Sequence, residues 1–373
     1  MRLNRLKLNG FRNYQTIELE TNHWMNIFIG PNAQGKTNLL EAIYVLALSK
    51  SHRTHKDKEM IQWEKESAHL YGEAERRYGT VSLDLSLHSQ GKKAKINGLE
   101  QRKLSEYIGT LNVVIFAPED LDLVKGSPGV RRRFLDMEIG QVYPAYIHHL
   151  YQFQKTVHQR NQLLKQWQGG SVQNEALWDI WNQQLAEHGT KIVQRRQSFI
   201  HKLQFWVNQI HSSITAEKEN LTIRYVPSFD FDDFSDETVL FDQFMLKLSH
   251  VKTQEIKRGM TLIGPHRDDI AFSINNQDVQ TYGSQGQQRT VALSLKLAEI
   301  ELIHDEVGEY PLLLLDDVLS ELDHHRQTQL LETFQKKVQT FITTTGTEGL
   351  DFNALQDVFI YHVKDGTVEM EGD

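Results

Sequence analysis

Met25-Asn26-Ile27-Phe28-Ile29-Gly30-Pro31-Asn32-Ala33-Gln34-Gly35-Lys36-Thr37-Asn38-Leu39-Leu40 is the stretch from which the rest of the chain is best read. A short apolar run, Met25 to Ile29, enters a loop that fits the pattern GxxxxGK[ST]. Leu39, Leu40, Ile43, Leu46 and Ala47 then fall on one helical face. Strand, glycine-rich loop and helix in that order make a phosphate-binding loop. Gly30 and Gly35 let the backbone bend so that successive N–H groups converge on phosphate, and the helix N-terminus adds positive potential there. Lys36 would reach the β- and γ-phosphates of a nucleotide, and the Thr37 hydroxyl would hold Mg²⁺. Pro31, Asn32, Ala33, Gln34 and Asn38 complete the cradle. The plain alternative, a glycine-rich turn with a surface lysine, leaves the flanking strand and helix without a purpose.

Far along the chain, Leu312-Leu313-Leu314-Leu315-Asp316-Asp317 is a continuous apolar run ending in two acids. Such a run suits a parallel strand buried on both faces, whose carboxyl end opens into a ligand crevice. Two adjacent buried acids are costly without a cation. Asp316 is therefore assigned to the Mg²⁺ shell and Asp317 to polarising an attacking water; the bland reading is that one of them caps a turn. Between these motifs lies Tyr282-Gly283-Ser284-Gln285-Gly286-Gln287-Gln288-Arg289, followed by a helix to about residue 305 with Leu295, Ala298 and Leu302 on one face. Ser284 can cap that helix while Gly286 leaves its start open, making a second anion site.

Working outward, the N-terminal residues alternate as strands, and alternation returns from Val81 to Phe116, with Ile96-Asn97-Gly98 as a hairpin turn. After the turn cluster Gly126-Ser127-Pro128-Gly129 the sequence becomes rich in Gln, His and aromatic residues. Apolar positions from Leu150 to Trp167 and from Trp181 to Ile210, on either side of Gly169-Gly170-Ser171, predict a helical hairpin. Residues from Phe229 to Glu237 read as an acidic, aromatic loop, and Val251 begins the return to α/β sequence. The expected fold is α/β: a mixed-sheet ATPase lobe over residues 1–125 and 258–373, with a mainly helical second lobe inserted at 126–257. The Ser284 helix lies near their junction.

With 41 Lys and Arg against 49 Asp and Glu the formal net charge is −8, so bulk charge argues mildly against nucleic acid, and any contact with it must come from a local basic patch. Arg131-Arg132-Arg133 is the candidate; its alternative is the first turn of a helix held by nearby acids. There is no cysteine, no apolar leader segment and no run long enough to span a membrane, so cytoplasm is the expected compartment. His266, Asp268 and Asp269 could ligate a metal, or could order a turn. The adjacent pairs His148-His149 and His324-His325 make poor chelates on a helix, because neighbours face different directions.

Taken in order, the Ser284 string resembles the signature of ABC ATPases, and Ser320-Glu321-Leu322-Asp323 looks like their D-loop. Asn9-Gly10-Phe11-Arg12-Asn13-Tyr14, Asn38-Leu39-Leu40-Glu41-Ala42-Ile43, Arg132-Arg133-Phe134-Leu135-Asp136 and Gly264-Pro265-His266-Arg267-Asp268-Asp269 narrow the resemblance to the RecF family, SMC-like ABC ATPases without a long coiled coil. It runs from about Leu3 to Thr345 and is weakest in the helical hairpin. The resemblance implies ATP sandwiched in a homodimer, the phosphate loop of one copy facing Ser284, Gly286 and Gln287 of the other. It also implies binding to gapped or junction DNA, and RecA loading with RecO and RecR. Arg12, Asn13 and Arg53 would touch the nucleotide. Asp317 stands where many ABC proteins have glutamate, and Thr343-Thr344-Thr345 where many have histidine, which implies slow hydrolysis that resets a switch. Glu119 is the substitute for the usual Q-loop glutamine. Two other readings are an ABC transporter's ATPase subunit and an ATP-dependent nuclease. The first lacks the standard signature and switch histidine, and the second lacks room for a nuclease domain.

Overall fold

The computed structural model describes residues 1–168, 175–231, 236–318, 327, 337–346 and 357–370. The Gly169-Gly170-Ser171 break, the Ser320-to-Asp323 string and His324-His325 lie outside the described residues. The chain divides into two compact units, residues 1–120 with 292–373, and residues 121–291.

In the first unit, β1 (Arg2–Phe11) and β2 (Tyr14–Glu20) form a hairpin. Then come β3 (Met25–Ile29), α1 (Lys36–Leu48), β4 (Ser67–Arg76), β5 (Gly79–His88), β6 (Gly91–Ile96), β7 (Leu99–Glu100), the one-turn α2 (Leu104–Tyr107) and β8 (Val113–Phe116). The order β2-β1-β4-β5-β6-β7 makes an antiparallel sheet. At the β6–β7 turn Asn97 and Gly98 both have positive φ (50° and 78°), the paired left-handed conformation that a two-residue hairpin needs and Asn-Gly supplies.

The second unit begins with α3 (Leu121–Lys125) and α4 (Pro128–Val142), whose Pro128 sits at the first helical position, where a missing N–H costs nothing. Next are α5 (Pro144–Gln168) and α6 (Glu175–Ile214), the predicted hairpin. They are followed by β9 (Leu221–Val226), α7 (Glu237–Arg258), β10 (Asp269–Ile274), β11 (Gln277–Asp278) and α8 (Val279–Tyr282). Strands β11-β10-β9 form a small antiparallel sheet. Val251, read as the start of α/β sequence, is instead in mid-α7, a helix capped by Asp236 and closed by left-handed Gly259. Its buried Leu240, Phe244 and Leu248 recur every four residues, so it belongs to the helical packing. Phe229 is buried and stacks on Phe244, so the start of the expected acidic loop is part of that core. Residue 258 therefore ends a helix, while the division between units falls after Val291, within α9 (Gln285–Val307).

Beyond α9 the first unit resumes with β12 (Leu312–Asp316), β13 (Thr340–Thr344), β14 (Val358–Lys364) and β15 (Thr367–Met370). The second six-stranded sheet runs β15-β14-β3-β13-β12-β8, parallel except for the β14–β15 hairpin, so this unit carries one antiparallel and one mixed sheet. All five β12 residues are buried, as expected of a strand between two parallel neighbours. Helix α1 packs against β12, β13 and β8 on one side and against β1, β4 and β5 on the other. Every residue from Leu39 to Leu48 is consequently buried, where the sequence pattern predicted one apolar face. A helix held between two sheets leaves little freedom to the loop before it.

Candidate nucleotide site

The loop from Gly30 to Gly35 joins β3 to α1, so it lies at the carboxyl edge of the mixed sheet. Gly35 has φ 115°, which side-chain-bearing residues avoid, and a Cβ there would press on Asn13 and Tyr14. A Cβ on Gly30 would collide with the Val363 carbonyl oxygen of β14, so this glycine answers a neighbouring strand as well as a ligand. No side chain caps the start of α1, which leaves its first N–H groups to an incoming anion.

Lys36 donates from Nζ to the Gly30 carbonyl at 2.6 Å and the Pro31 carbonyl at 2.8 Å. Burial pulls its pKa down, opposed by the charges of Asp317 and Asp316. The Thr37 hydroxyl donates to Asp316 Oδ1 at 2.8 Å, and the Thr343 hydroxyl of β13 donates to the same oxygen at 2.8 Å. Asp317 has left-handed backbone (φ 55°), and its N–H donates to Thr343 Oγ1 at 3.0 Å. Burial raises the Asp316 pKa above the ordinary carboxylate value, the two hydroxyls work against that shift, and Glu119 adds to it. A hydroxyl and a carboxylate converging beside an uncapped helix start fit a hard oxygen-seeking cation such as Mg²⁺ together with phosphate. Glu119 follows the end of β8, next to β12, and is exposed.

A second layer fixes the loop from behind. Asn13 Nδ2 donates to the Gln34 carbonyl at 3.0 Å, and Asn38 Nδ2 donates to Asn13 Oδ1 at 2.8 Å. Arg53 Nη1 reaches Asn38 Oδ1 at 3.0 Å. Arg12 forms a two-pronged pair with Glu41 of α1, at 2.9 Å and 2.6 Å, and Ser51 also donates to that carboxylate. Arg12 and Asn13, expected to touch a nucleotide, are thus engaged in bracing α1 and the loop. From the other end of the chain, the Asp365 N–H donates to Gln34 Oε1 at 2.7 Å and the Gly366 N–H to the Gln34 carbonyl at 3.2 Å. Sequence reasoning missed Thr343, Glu41 and this β14–β15 turn. Only the run of threonines drew attention to Thr343, and nothing local marked the turn.

In the second unit, Ser284 accepts from the Gln287 N–H at 3.2 Å while Gln287 Oε1 accepts from the Ser284 N–H at 2.9 Å, a reciprocal cap at the start of α9. Gln287 also donates to Glu219 at 2.9 Å. Gly286 is exposed one residue inside the helix. Of the basic candidates, Arg131 is 3% exposed and clamps Asp269 through two bonds of 2.6 Å and 2.8 Å, so it is a packing residue and the phosphate reading fails for it. Arg132 donates to the Asp268 carbonyl at 2.9 Å, and Arg133 is half-buried on the same helix. Asp268 accepts from the Tyr225 hydroxyl and from the Ser228 N–H, and His266 is pushed down to about 4 by burial. With both acids committed, the metal reading of His266, Asp268 and Asp269 gives way to the turn-ordering one. Among the described residues no group of three or more His, Cys, Asp or Glu side chains is arranged around a metal position, and no helix is long and apolar enough to cross a membrane.

A phosphate loop at the carboxyl edge of a mixed sheet, an acid pair at the end of β12 two strands along from β3, and a capped signature-like helix define an SMC-like, ABC-type P-loop head. Residues 2–369 match the family described as RecF/RecN/SMC N terminal domain. The chain is 54% identical over 373 residues, all of both chains, to the "DNA replication and repair protein RecF" of Bacillus cereus (strain G9842) and equally to that of Bacillus thuringiensis (strain Al Hakam). It belongs to the RecF family of DNA replication and repair proteins. The solved structure of the recombination mediator protein RecF-ATP in the RecFOR pathway superposes with a TM-score of 0.92 at 34% identity, covering 99% of this chain and 97% of that one. A Smc head bound to the C-winged helix domain of ScpA superposes with a TM-score of 0.55 at 13% identity, covering 100% and 98%, and shares the fold alone.

Proposed function

We propose that the chain is an ATP-dependent DNA-binding switch of recombinational repair and replication, in which hydrolysis is slow and serves as a reset. The observation that carries the reading is the triangle of Thr37, Asp316 and Thr343 beside the Lys36 loop. ATP is held by Gly30 to Asn38, and Mg²⁺ by Thr37 and Asp316; the bound cation would spread the charge that builds on the phosphate oxygens. Lys36 exchanges its two carbonyl partners for phosphate oxygens, which supply full negative charge in their place. Asp317, pinned through its N–H to Thr343, orients the attacking water. An aspartate has one methylene less reach than glutamate, and Thr343 to Thr345 supply no imidazole, which supports slow turnover.

Two copies close around ATP, each offering Ser284, Gly286 and Gln287 to the other's phosphate. The closed dimer holds gapped or junction DNA and acts with RecR and RecO to load RecA, as supported by the RecFOR pathway in which the solved relative stands. It does not cut DNA. Sedimentation of wild type and Ser284→Arg with ATP and Mg²⁺, with and without a fluorescent gapped duplex, tests this. The expected result is that only wild type dimerises and carries the DNA. A wild type that hydrolyses ATP as a monomer would retire the shared-site mechanism.

A further inference from the structure

Helices α5 and α6 bring together three imidazoles that the nucleotide switch does not use. His149 of α5 and His188 of α6 face each other with Nδ1 atoms 3.2 Å apart, and His148 stands beside them, its ring centroid 5.5 Å from that of His149 and 6.3 Å from that of His188. The sequence treated His148-His149 as a poor chelate because neighbours on one helix diverge; the partner comes instead from 39 residues away, on the facing helix.

Without a ligand the pair is joined by one hydrogen bond, which requires one ring to carry its proton on Nδ1 and the other on Nε2. With both protons on Nε2, two lone pairs converge. Zinc–nitrogen bonds are about 2.0–2.1 Å, so two nitrogens 3.2 Å apart subtend an angle of roughly 100–105° at a shared ion, close to tetrahedral. Burial lowers the pKa of both His149 and His188, assisted by the charge of Lys191 and opposed by that of Glu187. His148 is exposed, and both His149 and His188 are part-exposed, so an ion can reach the pair and water can fill its other positions.

We propose that His149 and His188 form a two-nitrogen site for a borderline transition-metal ion such as Zn²⁺, which would clip α5 to α6. The site selects against Mg²⁺, which takes oxygen ligands. Because it lies on the helical hairpin and needs no nucleotide, it can be tested with the full chain free of ATP, so its outcome does not depend on the switch. Zinc in excess should raise the thermal midpoint of wild type by about 2–4 °C, magnesium should not, and His149→Ala and His188→Ala should each lose the shift. Substoichiometric Cu²⁺ should show two coupled nitrogens by electron paramagnetic resonance in wild type and one fewer in His188→Ala. Absence of a zinc shift in wild type, or the same shift in both alanine variants, would overturn the proposal and leave only adventitious binding at other histidines. A copper spectrum without paired nitrogens in wild type would do so too, even if the variants fold poorly.

Discussion

Lys36, held by two carbonyls of its own loop, is placed by charge and by length. Lys36→Arg keeps the charge but substitutes a planar fork for a point donor, so hydrolysis should fall about 10²-fold or more while ATP binding falls much less. Turnover at the wild-type rate would remove Lys36 from the chemistry. Asp316 makes a prediction with a sign. Burial raises its pKa in the folded chain, so the folded state binds that proton more tightly than the unfolded state does. Its negative charge therefore costs stability as pH rises through the folded pKa. Without nucleotide or magnesium, Asp316→Asn should melt above wild type near neutral pH, the gap closing in acid, and should lose Mg²⁺-dependent hydrolysis. A variant melting below wild type at neutral pH would show that the charge is not the costly part. Lys36, Thr37 and Asp316 were legible because each sits in a short motif with fixed spacing. Thr343 was not, since its hydroxyl meets Asp316 across a parallel strand pair, 27 residues away.

Helix starts and strand ends carry the next level. The reciprocal cap of α9 predicts that Ser284→Ala costs about 1 kcal/mol in urea unfolding, through loss of the acceptor for the Gln287 N–H. No change in midpoint would mean that water replaces the cap at no cost. Arg131→Ala should cost about 2–3 kcal/mol, because Asp269 loses a bidentate partner at the start of β10. Equal stability, with weaker DNA binding, would restore the phosphate reading of Arg131. Periodicity marked α1, α5, α6 and β12 well, since each is long or evenly buried. It failed in α7 and in the sheet of β9, β10 and β11. There the residues around Val251 in α7, Ser249-His250-Val251-Lys252-Thr253, are mostly polar, and β9 and β10 are brought together from 45 residues apart, Tyr225 facing Ile270.

For the whole molecule, the switch requires ATP binding and ATP hydrolysis to be separable. Asp317→Asn should bind ATP and remain dimeric in sedimentation, since its backbone N–H can still meet Thr343 while the carboxylate is gone. A monomer under those conditions would break the link between nucleotide and assembly. Charge reversal at Arg132 should weaken DNA binding and flatten its dependence on salt, and an unchanged slope would assign Arg132 to packing against the Asp268 carbonyl. The grip of the β14–β15 turn on Gln34 also has a meaning in time. The phosphate loop is translated within the first tenth of the chain, yet two of the bonds that hold it come from residues 365 and 366. A ribosome exposing the loop sequence has not yet exposed its clasp. A product truncated before β14 lacks both bonds, and should bind ATP more weakly than the full chain in a direct titration; equal affinity would show that the clasp adds nothing to the loop.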